Sequence, residues 1–78
     1  MTARNPLADP RPGDLLRITR RMRVRAEAVG DGDVRVTVSR ILYWPSVCVW
    51  VHSAERWTLN EYRQTAAGEK VRVLETAP

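Results

Sequence analysis

Four arginines on two neighbouring segments are the most distinctive polar residues of the sequence. Three of them stand at alternate positions of the first segment and one on the second, and in both segments polar residues alternate with apolar ones, a two-residue period that is typical of half-buried β-strands. On such strands the arginines share one outer face with hydroxyl side chains, and guanidinium groups beside hydroxyls suit a phosphate backbone. We call this face the arginine stripe and predict that it binds nucleic acid, although charges on an exposed strand also keep it soluble and block edge pairing. The stripe comprises Arg21, Arg23, Arg25 and Arg35, beside Thr37 and Ser39.

The aromatic residues are the second candidate for binding. Barrel modules stack bases or grip proline-containing peptides on aromatic side chains. The chain has no Phe, so large aromatics are also needed in its core, and we expect Trp50 and Trp57 there. Trp44 stands beside Pro45 and is expected to be exposed. Tyr43 and Trp44 are therefore predicted to form a protein-binding hot spot.

The sequence offers little for catalysis or metal binding. His52 is the only histidine and precedes Ser53 directly, and adjacent residues on a strand point to opposite faces, so the two form no dyad. Cys48 lies between two valines, where a small buried thiol is expected. One His and one Cys with scattered carboxylates match no metal-ligand spacing. We therefore predict a non-enzymatic chain without a cofactor or a small-molecule substrate.

The composition is that of one small globular domain. The chain has 78 residues, of which 44% are hydrophobic and 28% charged, which argues against general disorder. A single cysteine excludes an intramolecular disulfide, and residues 1–12 contain no apolar run, so we expect neither a secretory signal nor a membrane span. These features predict a cytoplasmic protein. The net charge of +4 favours phosphate or an acidic protein surface as the partner.

The chain is predicted to divide into an extended N-terminal arm, residues 1–12, and one domain over residues 13–76. Pro6, Pro10 and Pro12 remove backbone donors from the arm. A first strand is predicted at Leu15 to Thr19, and the two alternating segments that follow should pair as a hairpin. A three-residue loop with Gly32 in a left-handed bulge keeps their apolar faces in register. That register sets Ala28 opposite Val34.

The second half of the chain predicts two further strands and a short helix. Pro45 marks a turn, and a strand follows over Val47 to Val51, with its three valines facing inward. Thr58 and Glu61 have the spacing of a capping box, and Gly68 is placed to end the helix in left-handed geometry. A last strand is predicted from Lys70 to Leu74. This order of elements predicts an all-β fold, an SH3-like small barrel of about five antiparallel strands with one short helix.

Two segments carry a family resemblance. The first is Asp9-Pro10-Arg11-Pro12-Gly13-Asp14, and the second runs from Thr58 to Gly68. Together they resemble a class of small phage and bacterial SH3-like proteins that open with a D-P-R-P-G-D-like motif. The class often has Trp where this chain has Tyr62 and Thr65. The resemblance implies an accessory protein of a phage or mobile element and supplies no catalytic residues.

Two functions remain open from the sequence. The first is a small module that binds nucleic acid through the arginine stripe. The alternative is a protein-binding inhibitor or adaptor, acting on a host defence complex in the manner of an anti-CRISPR protein or on a transcription complex, through the aromatic loop at Tyr43 and Trp44. A homo-oligomer formed through an unpaired barrel edge is also possible, in which case the stripe or the aromatic residues would have a structural role.

Overall fold

A computed structural model describes residues 4–78, apart from the side chain of Trp44. The chain is mainly β, with five antiparallel strands in one sheet and a single short helix in the described residues, which confirms the predicted all-β class and is consistent with a small barrel. The strand order across the sheet is β4-β3-β2-β1-β5. The elements are β1 (Leu15–Thr19), β2 (Met22–Val29), β3 (Asp33–Trp44), β4 (Val47–Thr58), α1 (Leu59–Ala66) and β5 (Arg72–Glu75).

The core lies between the inner face of the sheet and α1. Alternate residues of β2 and β3 point inward and are almost completely buried, as their two-residue period predicts. Tyr62 and Ala66 of the helix close the core from the other side, and Trp57 and Leu59 pack at its margin. The buried cluster comprises Leu16, Val24, Ala26, Val34, Val36, Val38, Tyr62 and Ala66.

The β2–β3 hairpin has the predicted left-handed glycine but neither the predicted loop pairing nor the predicted register. Gly32 has a φ of +79°, and the Gly30 N–H donates to the Asp33 carbonyl, so hydrogen bonding between the two segments continues up to Asp31 and Gly32. Ala28, however, lies opposite Arg35, and Val29 takes the place opposite Val34. The register shifts between Ala26 and Ala28, so the irregularity sits at Glu27 within β2.

The β3–β4 hairpin is much longer than predicted. Each strand has 12 residues, and only Pro45 and Ser46 separate them. The hairpin extends beyond the core, and the molecule is 48 Å long and 22 Å across in the other two directions. We call its outer part, residues 40–51, the hairpin arm. Its valines 47, 49 and 51 lie on the inner face as predicted, opposite Trp44, Leu42 and Arg40, yet they remain exposed because no core reaches them.

The helix has the predicted N-terminal cap and a different C-terminal end. The Thr58 side-chain oxygen accepts a hydrogen bond from the Glu61 N–H at 3.0 Å. Ala67 caps the other end in right-handed geometry, with its N–H bonded to the Gln64 carbonyl. Gly68 does not adopt the predicted left-handed conformation; its carbonyl instead accepts from the Val71 N–H in the turn that leads to β5.

The N-terminal segment is folded against the domain and contains a turn at residues 6–9, where an extended arm was expected. Its anchor is Asp14, which is fully buried. The Arg4 guanidinium donates to both Asp14 oxygens, at 2.6 and 2.9 Å, and the N–H groups of Arg11 and Ala77 donate to the same carboxylate. Tyr62 adds a bond from its hydroxyl to the Pro6 carbonyl at 2.7 Å. Both described ends of the chain therefore meet at one side chain.

Candidate nucleic-acid interface

The outer face of the sheet carries the residues of the arginine stripe. Arg23 lies opposite Ser39 and Arg25 opposite Thr37, while the residues between them point into the core. Arg35 is also exposed on the outer face but lies near the β2–β3 loop, opposite Arg56 of β4. The stripe arginines therefore share the outer face of the sheet but have different neighbouring residues.

Three of the stripe arginines already contact other side chains. Arg25 forms an ion pair with Glu75 at 3.0 Å and donates to the Gly13 carbonyl. Arg21 stacks on Tyr43, and Arg23 stacks on Trp50, each with 4.7 Å from the guanidinium carbon to the ring centroid. Such contacts orient the guanidinium without neutralising its charge. Arg21 and Arg23 thus keep their charge for an anion, whereas that of Arg25 is partly compensated.

A row of arginines crosses the sheet at right angles to the stripe. Arg17 of β1 lies directly opposite Arg23 of β2 on one side and opposite Arg72 of β5 on the other. Like charges at directly opposite positions destabilise a sheet. In the described part of the chain no carboxylate lies within 4.0 Å of these three guanidinium groups. We call this set the cross-strand arginine row, and an anion bound along it would relieve the repulsion.

Two polar residues extend this row toward β4. Ser39 of β3 lies opposite Arg23, and His52 of β4 lies opposite Ser39, with 2.6 Å between the Ser39 Oγ and the His52 Nδ1. A groove of about 330 Å³ runs beside them. Its lining residues are Leu15, Arg23, Arg25, Glu27, Thr37, Ser39, Trp50 and His52.

The sequence reasoning missed Arg17, Arg72 and His52 as members of this face. Each belongs to a different strand, and only the pairing of β1 with β2 and β5, and of β3 with β4, brings them into one row. The available signal was alternation in β1, where a buried Leu16 requires that Arg17 face outward. As expected, His52 and Ser53 lie on opposite faces, since their partners are Ser39 and the buried Val38.

Trp50 was expected in the core and is found elsewhere. Its position opposite Ile41 places it on the outer face, half-buried under Arg23. Trp57, by contrast, packs at the core margin as expected, and its Nε1 donates to Glu55 at 3.3 Å. Even-numbered residues of β4 point to the outer face, away from the core, which explains why an aromatic residue of β4 lies on the sheet surface. The outer face therefore contains an aromatic ring next to its arginines.

Two other stripe residues contact Glu27 or lie near it. The Thr37 hydroxyl donates to the Glu27 carboxylate at 3.0 Å. Arg35 and Arg56 line a separate groove of about 350 Å³ together with Glu27 and Glu55. Arg56 lies 3.6 Å from Asp33, so a carboxylate offsets part of the positive charge at this end of the face. The three guanidinium groups of the cross-strand arginine row, by contrast, form no ion pair among the described residues.

The tip of the hairpin arm contains the predicted hot spot. Tyr43 is 55% exposed, and its neighbours Leu42 and Val47 are 52% and 58% exposed. The side chain of Trp44 lies outside the described structure. Cys48, expected to be buried, is exposed because it lies on the outer face of the arm, opposite Tyr43. The tip is thus an apolar surface that projects from the body of the domain.

Among residues 4–78 there is no group of three or more His, Cys, Asp or Glu side chains placed to hold a metal ion. No helix in the described part of the chain is long and apolar enough to cross a membrane. Comparison of the chain with protein-family models, with curated proteins and with solved structures finds no match.

Proposed function

We propose that the chain is a non-enzymatic, cytoplasmic binding module that binds nucleic acid through the outer face of its sheet. The observation that carries the proposal is the cross-strand arginine row, in which Arg72, Arg17 and Arg23 occupy directly opposite positions on three neighbouring strands. Neighbouring strands lie about 4.8 Å apart, so the row presents three positive charges along a line. A phosphate backbone has the repeating negative charge that suits such a line.

The side chains around the row support a single-stranded ligand. Trp50 lies on the same face and contacts Arg23, and the Ser39 and His52 pair borders the same groove. An unpaired base stacks readily on an aromatic ring, whereas a duplex keeps its bases stacked on one another. Arg23 would then serve two purposes, since it holds the indole in place and meets a phosphate.

The type of protein is also part of the proposal. The segments Asp9 to Asp14 and Thr58 to Gly68 resemble those of small phage and bacterial proteins, which supports an accessory protein of a phage or mobile element. In this chain Asp14 binds Arg4 and the two backbone N–H groups, and Thr58 caps α1. Both resembling segments thus contribute to the architecture that supports the outer face, and neither contributes to the row itself.

The test is fluorescence anisotropy with labelled single- and double-stranded DNA and RNA. Three phosphate contacts predict a slope of log affinity against log salt of about −2 on a single strand. Arg17→Glu combined with Arg23→Glu should weaken binding more than ten-fold. Arg11→Glu is the matched control for a single Arg17→Glu, because Arg11 is exposed but lies on the N-terminal segment. Equal loss from Arg11→Glu and Arg17→Glu, or no binding at low salt, would refute the proposal.

A second candidate function is a protein-binding inhibitor or adaptor of host defence or transcription machinery. The exposed apolar tip of the hairpin arm favours it, with Leu42, Tyr43 and Val47 each more than half exposed. A contact of this kind depends little on salt. Tyr43→Ala should abolish capture of such a partner without changing nucleic-acid affinity, and the Arg17 and Arg23 substitutions should leave capture intact.

A further inference from the structure

Strand β4 is a long edge strand without the usual protection against pairing. The sheet order places β4 at one edge, and all 12 of its residues pair with β3 in unbroken register on the other side. Natural edge strands are protected by charged residues, proline, bulges or short length. From Val47 to Ala54, β4 contains no Asp, Glu, Lys, Arg or Pro. Charged side chains begin only at Glu55 and Arg56.

The backbone of this segment has hydrogen-bonding groups directed away from the sheet. The Leu59 N–H donates to the Gly32 carbonyl, and hydrogen-bonded pairs alternate with non-bonded pairs along an antiparallel ladder. The odd-numbered residues of β4 therefore bond to β3. The N–H and C=O groups of Cys48, Trp50, His52 and Ala54 consequently point to the open edge, where a further strand could bond to them.

The inner-face side chains from Val47 to Val51 are apolar and exposed. Val47, Val49 and Val51 line the inner face and are 58%, 47% and 44% exposed. Leu42 of β3 lies opposite Val49 and is 52% exposed. A strand added to the edge would cover part of these side chains while it satisfied the backbone groups.

We propose that the occupant is a second copy of this chain, paired antiparallel through β4 about a two-fold axis at Val49. A two-fold axis perpendicular to the sheet keeps each face on its own side, so that Val49 meets Val49 of the other copy and Val47 meets Val51. Cys48 then lies opposite Trp50 on the other face, and both belong to the residues whose backbone groups point outward. The dimer is a continuous sheet of ten strands.

The sequence of β4 favours a second copy over an unrelated strand. Its three valines are spaced symmetrically about Val49, which makes the segment complementary to itself in antiparallel orientation. The charged Glu55 and Arg56 lie beyond the paired segment, and so no like charges face each other across the axis. Centring the axis on His52 instead would pair Glu55 with Val49 and Arg56 with Cys48, which places charged residues against apolar ones.

The first test is sedimentation of the full chain from low micromolar to near-millimolar concentration. The native chain should change from monomer to dimer over this range, and Val49→Lys should shift the dissociation constant at least ten-fold upward. Val73→Lys is the matched control, because Val73 is a partly exposed valine on β5, the opposite edge. Circular dichroism checks that both variants are folded. A native chain that stays monomeric throughout, or a dimer lost through Val73→Lys alone, would overturn the proposal.

The second test fixes the register by cysteine cross-linking in a Cys48→Ser background. Val49→Cys places two thiols directly opposite each other in a non-bonded pair, about 4.5–5.5 Å apart at Cβ, and oxidation should link most of the dimer. Val51→Cys lies opposite residue 47 of the other copy, which leaves the two thiols about 13 Å apart along the strand, and it should link poorly. Equal linking of the two variants, or a dimer whose Val49→Cys variant does not link, would contradict the proposed pairing. A mass consistent with a different bound protein in place of a second copy would contradict it as well.

Discussion

At the scale of single residues, the outer face contains arginines that repel one another and an indole ring that stacks on one of these arginines. Arg17 has an arginine opposite it on both sides, and Arg23 stacks on Trp50. Neither arrangement improves the packing of the core, because all four side chains point away from it. The arrangement makes physical sense if the face receives a ligand that carries both phosphate groups and stackable bases.

Trp50→Ala is expected to separate single-stranded from duplex binding. Base stacking on an aromatic residue contributes about 1–3 kcal/mol per base, so affinity for a single strand should fall roughly ten-fold or more while duplex affinity changes little. Anisotropy with matched single-stranded and duplex probes measures both. Tyr43→Ala is the control, since Tyr43 also stacks with an arginine but lies nearer the tip. A loss of equal size for both probes would mean that Trp50 acts through the fold and makes no contact with a base.

At the scale of elements, the sequence predicted correctly those features that depend on residues close together in the chain. The left-handed Gly32, the Thr58 cap and the inward valines of β2 and β3 each depend on residues close in sequence, and each is found. The position of Ala28 depends on where the irregularity of the hairpin falls. It falls at Glu27, whose carboxylate is bonded to Thr37 of the neighbouring strand, and no local rule selects that position.

The candidate site was only partly predictable for the same reason. Alternation placed Arg21, Arg23 and Arg25 on one face, but the cross-strand arginine row requires the pairing of β5 with β1, whose residues are more than 50 positions apart in the sequence. Trp50 and Cys48 lie outside the core because the β3–β4 register places both on the outer face, and the apolar residues on both faces of this strand did not reveal that orientation. Hydrophobic residues in a strand indicate burial only when a core lies beneath them, and this arm has none.

The N-terminal cap of α1 is expected to contribute measurably to the stability of the fold. Thr58→Ala removes the side-chain acceptor of the Glu61 N–H, which should lower the free energy of unfolding by about 1 kcal/mol. Urea denaturation with an unchanged m-value measures this loss. Thr76→Ala is the control, because Thr76 is exposed beyond β5, and it should change stability by much less. If both variants unfolded at the same urea concentration, the Thr58 cap would have no energetic role.

At the scale of the whole molecule, Asp14 connects segments that are far apart in the sequence. Burial alone would raise the pKa of its carboxyl, but the hydrogen bonds from Arg4 and from the N–H groups of Ala77 and Arg11 outweigh burial and lower the pKa to about 2. A carboxyl with a lowered pKa in the folded state stabilises the fold above its unfolded pKa and loses that contribution as the pH falls.

The pH dependence of stability should therefore have a specific window. Relative to the ordinary value of 3.8, the shift corresponds to about 2 kcal/mol of stability. That contribution should be complete above about pH 5 and disappear as the pH falls through 4 to 2. Asp14→Ala should flatten this part of the profile and, by leaving the Arg4 guanidinium without its partner, cost about 3 kcal/mol at neutral pH. Urea unfolding of the native chain and of the Asp14→Ala variant at a series of pH values tests both expectations. A native stability profile that is flat from pH 5 to 2 would contradict the stabilising role of the Asp14 carboxylate.

The hairpin arm is expected to be dispensable for folding, because no residue of the buried cluster lies beyond Val38 on β3 or in the arm part of β4. Replacing residues 41–50 by Asn-Gly closes the pair of Arg40 and Val51, which lie directly opposite each other, with a turn that suits a two-residue hairpin. The two arginine–aromatic contacts are lost with the arm, so unfolding should become easier by only about 1–2 kcal/mol. Cooperative thermal unfolding with near-native circular dichroism would show that the body folds alone. The same variant should be monomeric at every concentration, since it lacks Val47 and Val49, and loss of cooperative unfolding would instead mean that the arm helps to hold the sheet together.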